Sequence, residues 1–260
     1  MSADFLSVDA VATAGGQEPI ARSPMERAAL AAGARFEVRD GWSIAVHYGA
    51  GAEAEARACR DRAGWADVSP LGKLELQAPP GQLEAVVAGC ADGAGVALGT
   101  ATRAAAAWWC RLTPQRLLVI CAPAARSALR EKLTGAAAGA AGASVVDVTS
   151  NFAALTVAGP LAREVLARFS AIDLRPRTTP VGALRPGSIA RQPAILICEA
   201  ENRYLFLFGW ATGEYIWSVV SDAGRHLGGQ PIGADALAAI DPGRPRAAEG
   251  SAPAEERARA

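Results

Sequence analysis

Val146 to Phe169, VDVTSNFAALTVAGPLAREVLARF, reads as a strand, a tight turn and a helix. Ala154-Leu155-Thr156-Val157 continues the strand begun after Asp147-Val148-Thr149, Gly159-Pro160 breaks it, and Leu161, Val165, Leu166 and Phe169 then recur at helical spacing. Proline is tolerated in the first turn of a helix, where its missing N–H has no intrahelical partner, so Pro160 marks a start. An earlier stretch, Ala66 to Val87 (ADVSPLGKLELQAPPGQLEAVV), has the same order. Asp67-Val68-Ser69 leads to Leu74 and Leu76, then to Pro79-Pro80, then to a helical pattern through Leu83, Val86 and Val87. The two stretches superimpose with one residue of slack.

The likeness continues downstream. The first stretch is followed by apolar runs at Ala104 to Leu112 and Leu117 to Cys121, and then by a helix through Arg126, Leu129 and Leu133. The second is followed by Ala194 to Cys198, Tyr204 to Phe208, and a helix through Ile216, Val219 and Val220. Each half reads strand, helix, strand, strand, helix, an order that resembles the split βαβ arrangement, in which antiparallel strands carry helices on one face. The expectation is an α+β protein of two tandem ferredoxin-like subdomains, duplicated over residues 66–134 and 146–224 and related by a pseudo-twofold.

The 260 residues can bury a stable core. Twenty-six basic and 26 acidic residues cancel, so no whole-chain field attracts nucleic acid or an anionic membrane. No window is apolar for the length a membrane span needs. Residues 1–22 lack the basic start and apolar run of a secretory signal. The five cysteines, Cys59, Cys90, Cys110, Cys121 and Cys198, have no zinc-ligand spacing, and their odd number fits a disulfide framework poorly. Reduced thiols in a cytoplasmic protein are expected, with Cys110 and Cys121 as small buried hydrophobes.

Both ends, 1–22 and 241–260, read as disordered tails around a domain spanning 23–240. Ser23-Pro24-Met25-Glu26 resembles a capping box opening a short helix. Phe36 to Tyr48 suggests two strands turned at Asp40-Gly41, and Ala52 to Ala63 a helix stopped by Gly64. Gly135 to Ala143 reads as a low-complexity bridge, and Asp173 to Ser188 as an irregular loop.

Catalytic motifs are missing from the sequence. The glycine clusters do not follow a strand and open a helix, there is no GxxxxGK[ST], and neither GxSxG nor HExxH occurs. His47 and His226 are expected to be structural, and the spacing of Ser221, Asp222 and His226 does not build a triad. Trp108, Trp109 and Trp217 fall in strand or helix patterns, where large aromatics serve as core or interface anchors. No metal site and no catalytic residue is assigned.

Several short motifs carry a family resemblance. Ser23-Pro24-Met25, Gly33-Ala34-Arg35-Phe36, Asp40-Gly41-Trp42 and Gly64 to Lys73 (GWADVSPLGK) resemble the amino-terminal half of the aminomethyltransferase (glycine-cleavage T-protein) superfamily. Arg111 to Leu118 (RLTPQRLL), Val146 to Thr149, Asp173 to Arg177 (DLRPR) with Pro180, and Glu214 to Trp217 (EYIW) are similar to the gamma subunit of heterotetrameric sarcosine oxidase. The resemblance implies a folate-binding fold of two ferredoxin-like subdomains, here without the family's carboxy-terminal barrel. It also implies tetrahydrofolate as cofactor, with Asp67, Leu71 and Trp210 as the candidate cofactor contacts.

The departures from the family pattern are specific. The strand that carries an aspartate near the pterin in the transferases reads Ala104-Ala105-Ala106-Ala107 here. The family's pterin-binding glutamate falls near Leu205, and a following arginine within Ala236 to Ala239. Each charge-assisted anchor is worth roughly 1.5–3 kcal/mol, so their loss implies that tetrahydrofolate is held weakly or shared with a partner. The cysteine motif of the related iron–sulfur assembly proteins is replaced by Gly209 to Glu214 (GWATGE). Two readings follow. One is a non-catalytic subunit docked on flavoprotein oxidase or dehydrogenase subunits that oxidise sarcosine or another secondary N-methyl amine. The other is a stand-alone tetrahydrofolate-dependent one-carbon transferase. Exposure of Trp108, Trp109, Trp210 and Trp217 would favour the first, and an acidic residue facing a central pocket the second.

Overall fold

The computed structural model describes residues 19–240. Helix α1 (Glu26–Ala31), strands β1 (Ala34–Arg39) and β2 (Trp42–Tyr48), helix α2 (Ala52–Asp61) and strand β3 (Gly64–Asp67) lead into the first repeat. That repeat comprises β4 (Gly72–Gln77), α3 (Pro80–Cys90), β5 (Ala101–Ala104), β6 (Ala107–Thr113), β7 (Arg116–Cys121) and α4 (Arg126–Ala137). Strand β8 (Ser144–Asp147) leads into the second, which comprises β9 (Phe152–Ala158), α5 (Ala162–Ala167), β10 (Leu184–Ile189), β11 (Gln192–Ala200), β12 (Arg203–Gly209) and α6 (Gly213–His226). Strand β13 (Gln230–Pro231) and α7 (Ala234–Ile240) follow.

The α+β architecture is as expected, and the two repeats share one strand order, β5-β6-β7-β4 and β10-β11-β12-β9. Each repeat holds one strand more than the sequence suggested. The run Ala104 to Leu112 is not one strand but the second half of a hairpin whose two-residue turn is Ala105-Ala106, at φ 47 and 57. The matching turn in the second repeat is Ala190-Arg191, at φ 48 and 61. Both have the left-handed backbone that right-twisted hairpins require, but no glycine or asparagine announces it in the sequence. Glycine does mark the β1–β2 turn, where Asp40 and Gly41 lie at φ 50 and 73 as expected.

The repeats exchange edge strands. Strand β3, which precedes the first repeat, pairs with β9 of the second, and β8, which precedes the second, pairs with β4 of the first. The repeated Asp-Val-Ser/Thr motif is the crossover itself. Asp67 Oδ1 accepts the Ser69 N–H at 2.9 Å, and Asp147 Oδ1 accepts the Thr149 N–H at 3.0 Å, so each crossover is an Asx turn. The Val68 N–H reaches the Ala154 carbonyl, and the Val148 N–H the Lys73 carbonyl, both at 2.9 Å. The hydroxyl of Ser69 accepts from the Ala154 N–H, and that of Thr149 from the Lys73 N–H, both at 3.1 Å.

Strand parity separates the layers. Leu74, Leu76, Trp109, Leu117 and Val119 form one face of the five-stranded sheet, covered by Leu83, Val86 and Val87 of α3 and Leu129 and Leu133 of α4. On the six-stranded sheet, Trp65, Leu155, Val157, Tyr204, Phe206 and Phe208 pack under α1, α5 and α6. A third cluster, including Cys110, Leu118, Ile120, Ala154, Ile197, Leu205 and Leu207, lies between the sheets. Strands buried on both faces read as continuous apolar runs, and each buried aliphatic or aromatic side chain contributes about 1.5–3 kcal/mol. All five cysteines are free and buried.

Several local expectations are corrected. Helix α2 stops at Asp61, and Gly64 opens β3, where a Cβ would lie 2.9 Å from Cys59 Sγ and from Ile232. Helix α4 extends to Ala137, into the alanine–glycine stretch expected to be a bridge. Strand β10 occupies the end of the stretch expected to be irregular. Ser23 Oγ accepts the Met25 N–H at 3.1 Å, but Glu26 pairs with Arg22 instead of closing a capping box. Ala21, placed in the amino-terminal tail by the sequence, bonds Gly41 and Ser43 through its backbone. The tails at 1–18 and 241–260 lie outside the described residues.

Candidate functional site

The exchange of β3 and β8 leaves a cavity of about 540 Å³ beside the first crossover. Its walls are the crossover (Asp67, Val68, Pro70, Leu71), the β5–β6 hairpin (Arg103, Ala106, Trp108), the end of β7 (Ile120, Cys121), and faces of α2 and α7. Two helices meet across it because Glu55 of α2, fully buried, accepts backbone N–H bonds from Tyr48 and from Gly233 at the start of α7. Gly233 is required there, since a Cβ would lie 2.0 Å from the Val46 carbonyl oxygen. At the mouth, Arg39 of β1 donates to Asp235 of α7 at 2.5 Å and to Glu37 at 2.8 Å, joining the hairpin to the helix.

The charged groups of the floor belong to the crossover. Burial lifts the Asp67 carboxyl above the ordinary carboxylate range, while bonds from Ser23 and Ser69 and the nearby Lys73 act in the opposite direction. Lys73, on the inner face of β4, is 0% exposed, and its ammonium donates to the Ser69 carbonyl at 2.7 Å and the Thr149 carbonyl at 3.5 Å. It therefore bonds the third residue of both Asx turns. Burial depresses its pKa to about 7, against the pull of Asp67 and Asp147. Cys121 borders the cavity at the end of β7 with its side chain in the helix-covered cluster, and burial pushes its thiol up to about 11, so it is not a thiolate nucleophile at neutral pH.

Asp67 and Leu71, two of the residues singled out in the sequence, line this cavity. Trp210 does not. It follows β12 on the helix-covered side and tilts against Trp42, with ring centroids 6.2 Å apart. The positions where the family resemblance places acidic and basic anchors are apolar: Ala106, Ala238 and Ala239 sit on the cavity wall, and Leu205 in the layer between the sheets. Trp109 and Trp217 are buried, and Trp108 and Trp210 are half-buried, so the tryptophans do not form an exposed patch. Ser221 is buried in α6 while Asp222 and His226 are exposed, which separates that triplet.

Sequence reasoning gave Lys73 and Arg103 no role at a site and read Trp108 only as a core or interface anchor. Lys73 alternates with Leu74 and Leu76 as a solvent-facing residue would, and its burial follows only once both faces of β4 are covered. Arg103 lies 5.6 Å over the Trp108 ring, and this pair also borders a second recess of about 570 Å³ that includes Arg60, Glu199, Asn202 and Arg203. Among the described residues no group of three or more His, Cys, Asp or Glu side chains could hold a metal ion, and no helix is long and apolar enough to cross a membrane.

The chain is similar to proteins of one superfamily. It is 27% identical over 235 residues to an aminomethyltransferase of Frankia alni, covering 82% of this chain and 60% of that protein. The fold matches glycine cleavage system aminomethyltransferase T from Bartonella henselae with a TM-score of 0.71 at 17% identity, over 85% of this chain and 62% of that one. It matches a chain of heterotetrameric sarcosine oxidase from Corynebacterium sp. U-96 with a TM-score of 0.58 at 24% identity, over 68% of this chain and 92% of that one. The model of the GCVT N-terminal domain matches residues 104–240, more than half of the chain, from the β5–β6 hairpin on the cavity wall to the end of α7, and so the chain belongs to the GCVT N-terminal domain family.

Proposed function

We propose that this chain is a non-catalytic, gamma-type subunit of a heteromeric oxidase of sarcosine or another secondary N-methyl amine. In this reading it retains the folate-binding chamber of its family and docks on flavoprotein subunits. The observation that carries the reading is the contrast between an intact cavity and an apolar wall at Ala106, Ala238 and Ala239. Size and the apolar surface of Val68, Leu71, Ile120 and Trp108 fit a pterin ring, while the carboxylate anchors are replaced. Tetrahydrofolate, which would supply a one-carbon carrier, is therefore held weakly or shared with a partner. The likeness to a chain of heterotetrameric sarcosine oxidase supports the oxidase assembly.

A second reading, a tetrahydrofolate-dependent one-carbon transferase, is favoured by Asp67 on the cavity floor, by tryptophans that are buried or half-buried and form no exposed docking patch, and by the aminomethyltransferase relative. Calorimetric titration of the purified chain with tetrahydrofolate, an aminomethyl-transfer assay, and co-purification with candidate flavoprotein subunits separate the two. The subunit reading expects no turnover, weak folate binding and a stable complex. Micromolar binding with turnover by the lone chain would sink it. Ala106→Asp restores a carboxylate on the wall at a left-handed position that aspartate tolerates better than alanine. It should tighten tetrahydrofolate binding about tenfold, the effect of one charge-assisted bond.

A further inference from the structure

The β1–β2 hairpin keeps one strand edge open. Strand β2 is mostly buried, whereas β1 lies outside it with Arg35, Glu37 and Val38 exposed, Val38 at 54%. Arg39 and Trp42 flank the two-residue turn and form a hydrogen-bonded pair, so Val38 and Ser43, the next pair along, do not bond each other. The Ser43 N–H agrees, since it turns away from β1 to the Ala21 carbonyl at 2.9 Å. The backbone N–H and C=O of Val38 and, by the alternation of the strand, of Phe36 therefore point to the outer side of β1. Among the described residues no strand pairs there. The equally long edge strand β10 is closed instead. Its Leu184 N–H bonds the Gly99 carbonyl, its Ser188 carbonyl accepts from Ala171, and Pro186 between them has no N–H to offer.

The charges on β1 select the occupant. Its side chains alternate between an apolar row, Ala34, Phe36 and Val38, and a charged row, Arg35, Glu37 and Arg39. Charges on an edge ordinarily keep other strands away, but these complement their own copy. In an antiparallel pair centred on Phe36, Arg35 stands opposite Glu37 of the copy, Glu37 opposite its Arg35, and Val38 opposite its Ala34. Centring on Glu37 would set Glu37 against Glu37 and Arg35 against Arg39, which is unfavourable, and centring on Val38 would run the pairing into the Asp40-Gly41 turn. The charged groups are open to a copy: Arg35 is exposed and makes no salt bridge among the described residues, and the Arg39 bonds to Glu37 fall on Oε2. We infer that β1 is a self-association edge, where a second copy of this chain pairs antiparallel through residues 34–38 and the two hairpins join into one four-stranded sheet. So few residues a side make a small interface, and the dimer dissociates on dilution. The pairing goes beyond the subunit reading and does not depend on it.

The test follows sedimentation of the full chain from micromolar concentration into the millimolar range, where the parent should pass from monomer to dimer. Arg35→Glu and Glu37→Arg each set like charges opposite one another on both sides of the symmetric pair, and each should weaken association about tenfold or more. Mixed in equal amounts, the two variants regain both opposite-charge pairs, and the mixture should associate as the parent does. Both sites are exposed, so the melting temperature should hold. If a variant fails to fold, hydrogen exchange at the Phe36 and Val38 amides of the parent decides, and protection that rises with concentration is the expected result. Exchange that does not change with concentration would overturn the pairing, and a constant protection would mean that a segment of the same chain covers the edge. A parent that stays monomeric, variants that associate as the parent does, or a mixture no better than its components would each overturn it too. Folate titration and co-purification with flavoprotein subunits are read separately, so their failure counts against the subunit reading and leaves the β1 pairing standing.

Discussion

The first repeat lines the main cavity and the second does not, although their backbones are made alike. Both enter through an Asx-turn crossover, both run a three-strand meander through a left-handed hairpin, and both cover one sheet face with helices. The inner face of β4 nevertheless carries Lys73 and Glu75, where the matching residues of β9 are Ala154 and Thr156. The cavity takes Asp67, Leu71, Arg103, Trp108 and Cys121 from the first half, while Tyr204, Phe206 and Phe208 of the second are core. Duplication fixes hydrogen bonds of the main chain, which tolerate many side chains. The chemistry is then free to settle in one copy.

The residue just after the first strand of each repeat gives the largest expected asymmetry. The Ala78 N–H bonds the Gln115 carbonyl and the Gly159 N–H the Asn202 carbonyl, each at 3.0 Å, so the two are equivalent in the ladder. Gly159, at φ 107, is wedged against α2: a Cβ would lie 2.3 Å from the Cys59 carbonyl oxygen and 2.7 Å from that of Arg62. Gly159→Ala should cost about 3 kcal/mol or more, because backbone atoms must move and the conformation is strained. Ala78→Gly should cost about 0.5–1 kcal/mol, the entropy of glycine alone. Urea midpoints measure both, and equal costs would show that the packing of α2 on the second repeat is unimportant.

The sequence made the repeats legible because the Asp-Val-Ser/Thr motif, the strand alternation and the proline at each helix start are local and recur together. Strand exchange was not legible, since no short-range pattern in β3 or β8 says which sheet each joins. The hairpins at Ala105-Ala106 and Ala190-Arg191 were missed for the opposite reason. Tertiary pairing holds residues there in a conformation that their own preferences oppose. At the site, the family resemblance led to Asp67 and Leu71. Trp210 fell outside, because a sequence neighbour of β12 can lie on either side of the sheet.

Lys73 provides the next contrast, in pH dependence. Its folded pKa of about 7 lies below the ordinary 10.5, so between those values the unfolded chain binds a proton that the folded chain does not. Stability from this group therefore rises with pH across 7 to 10.5, by at most about 1.4 kcal/mol per unit, and the full penalty is present below about 7. Lys73→Met should flatten that rise. Asp67 acts in the other direction, since a carboxyl raised by burial loses stability as pH climbs from the ordinary carboxylate range toward its folded value. Asp67→Asn should remove that fall and leave the alkaline rise. Urea midpoints from pH 4 to 10 test both, and an unchanged alkaline slope in Lys73→Met would mean that the lysine is hydrated.

The hairpins should respond alike in stability at their exposed turn residue and unequally in binding. Ala106→Gly, or Arg191→Gly, should stabilise the chain by about 1 kcal/mol in either repeat, since both residues are exposed and hold left-handed backbone without a favouring side chain, whereas Ala190 is buried in the core and is left unchanged. Only the first should alter cavity occupancy, because Ala106 is on the wall. A gain in one repeat alone would show that the other turn relaxes.

The smallest effect is expected between the sheets, at Glu75 and Thr156. Glu75 accepts from Arg116 and Gln77, whereas the Thr156 hydroxyl, 1% exposed, is among the buried groups without a hydrogen-bond partner. A buried hydroxyl that makes no bond carries its desolvation cost with no return, and valine has the same shape. Thr156→Val should therefore stabilise the protein by about 0.5 kcal/mol, while Glu75→Val removes an ion pair to a partly exposed Arg116 and should destabilise it by about 0.5 kcal/mol. The sign of the threonine change decides the matter. Destabilisation by Thr156→Val would mean that its hydroxyl bonds a water between the sheets, and the second repeat would then hold a polar site of its own.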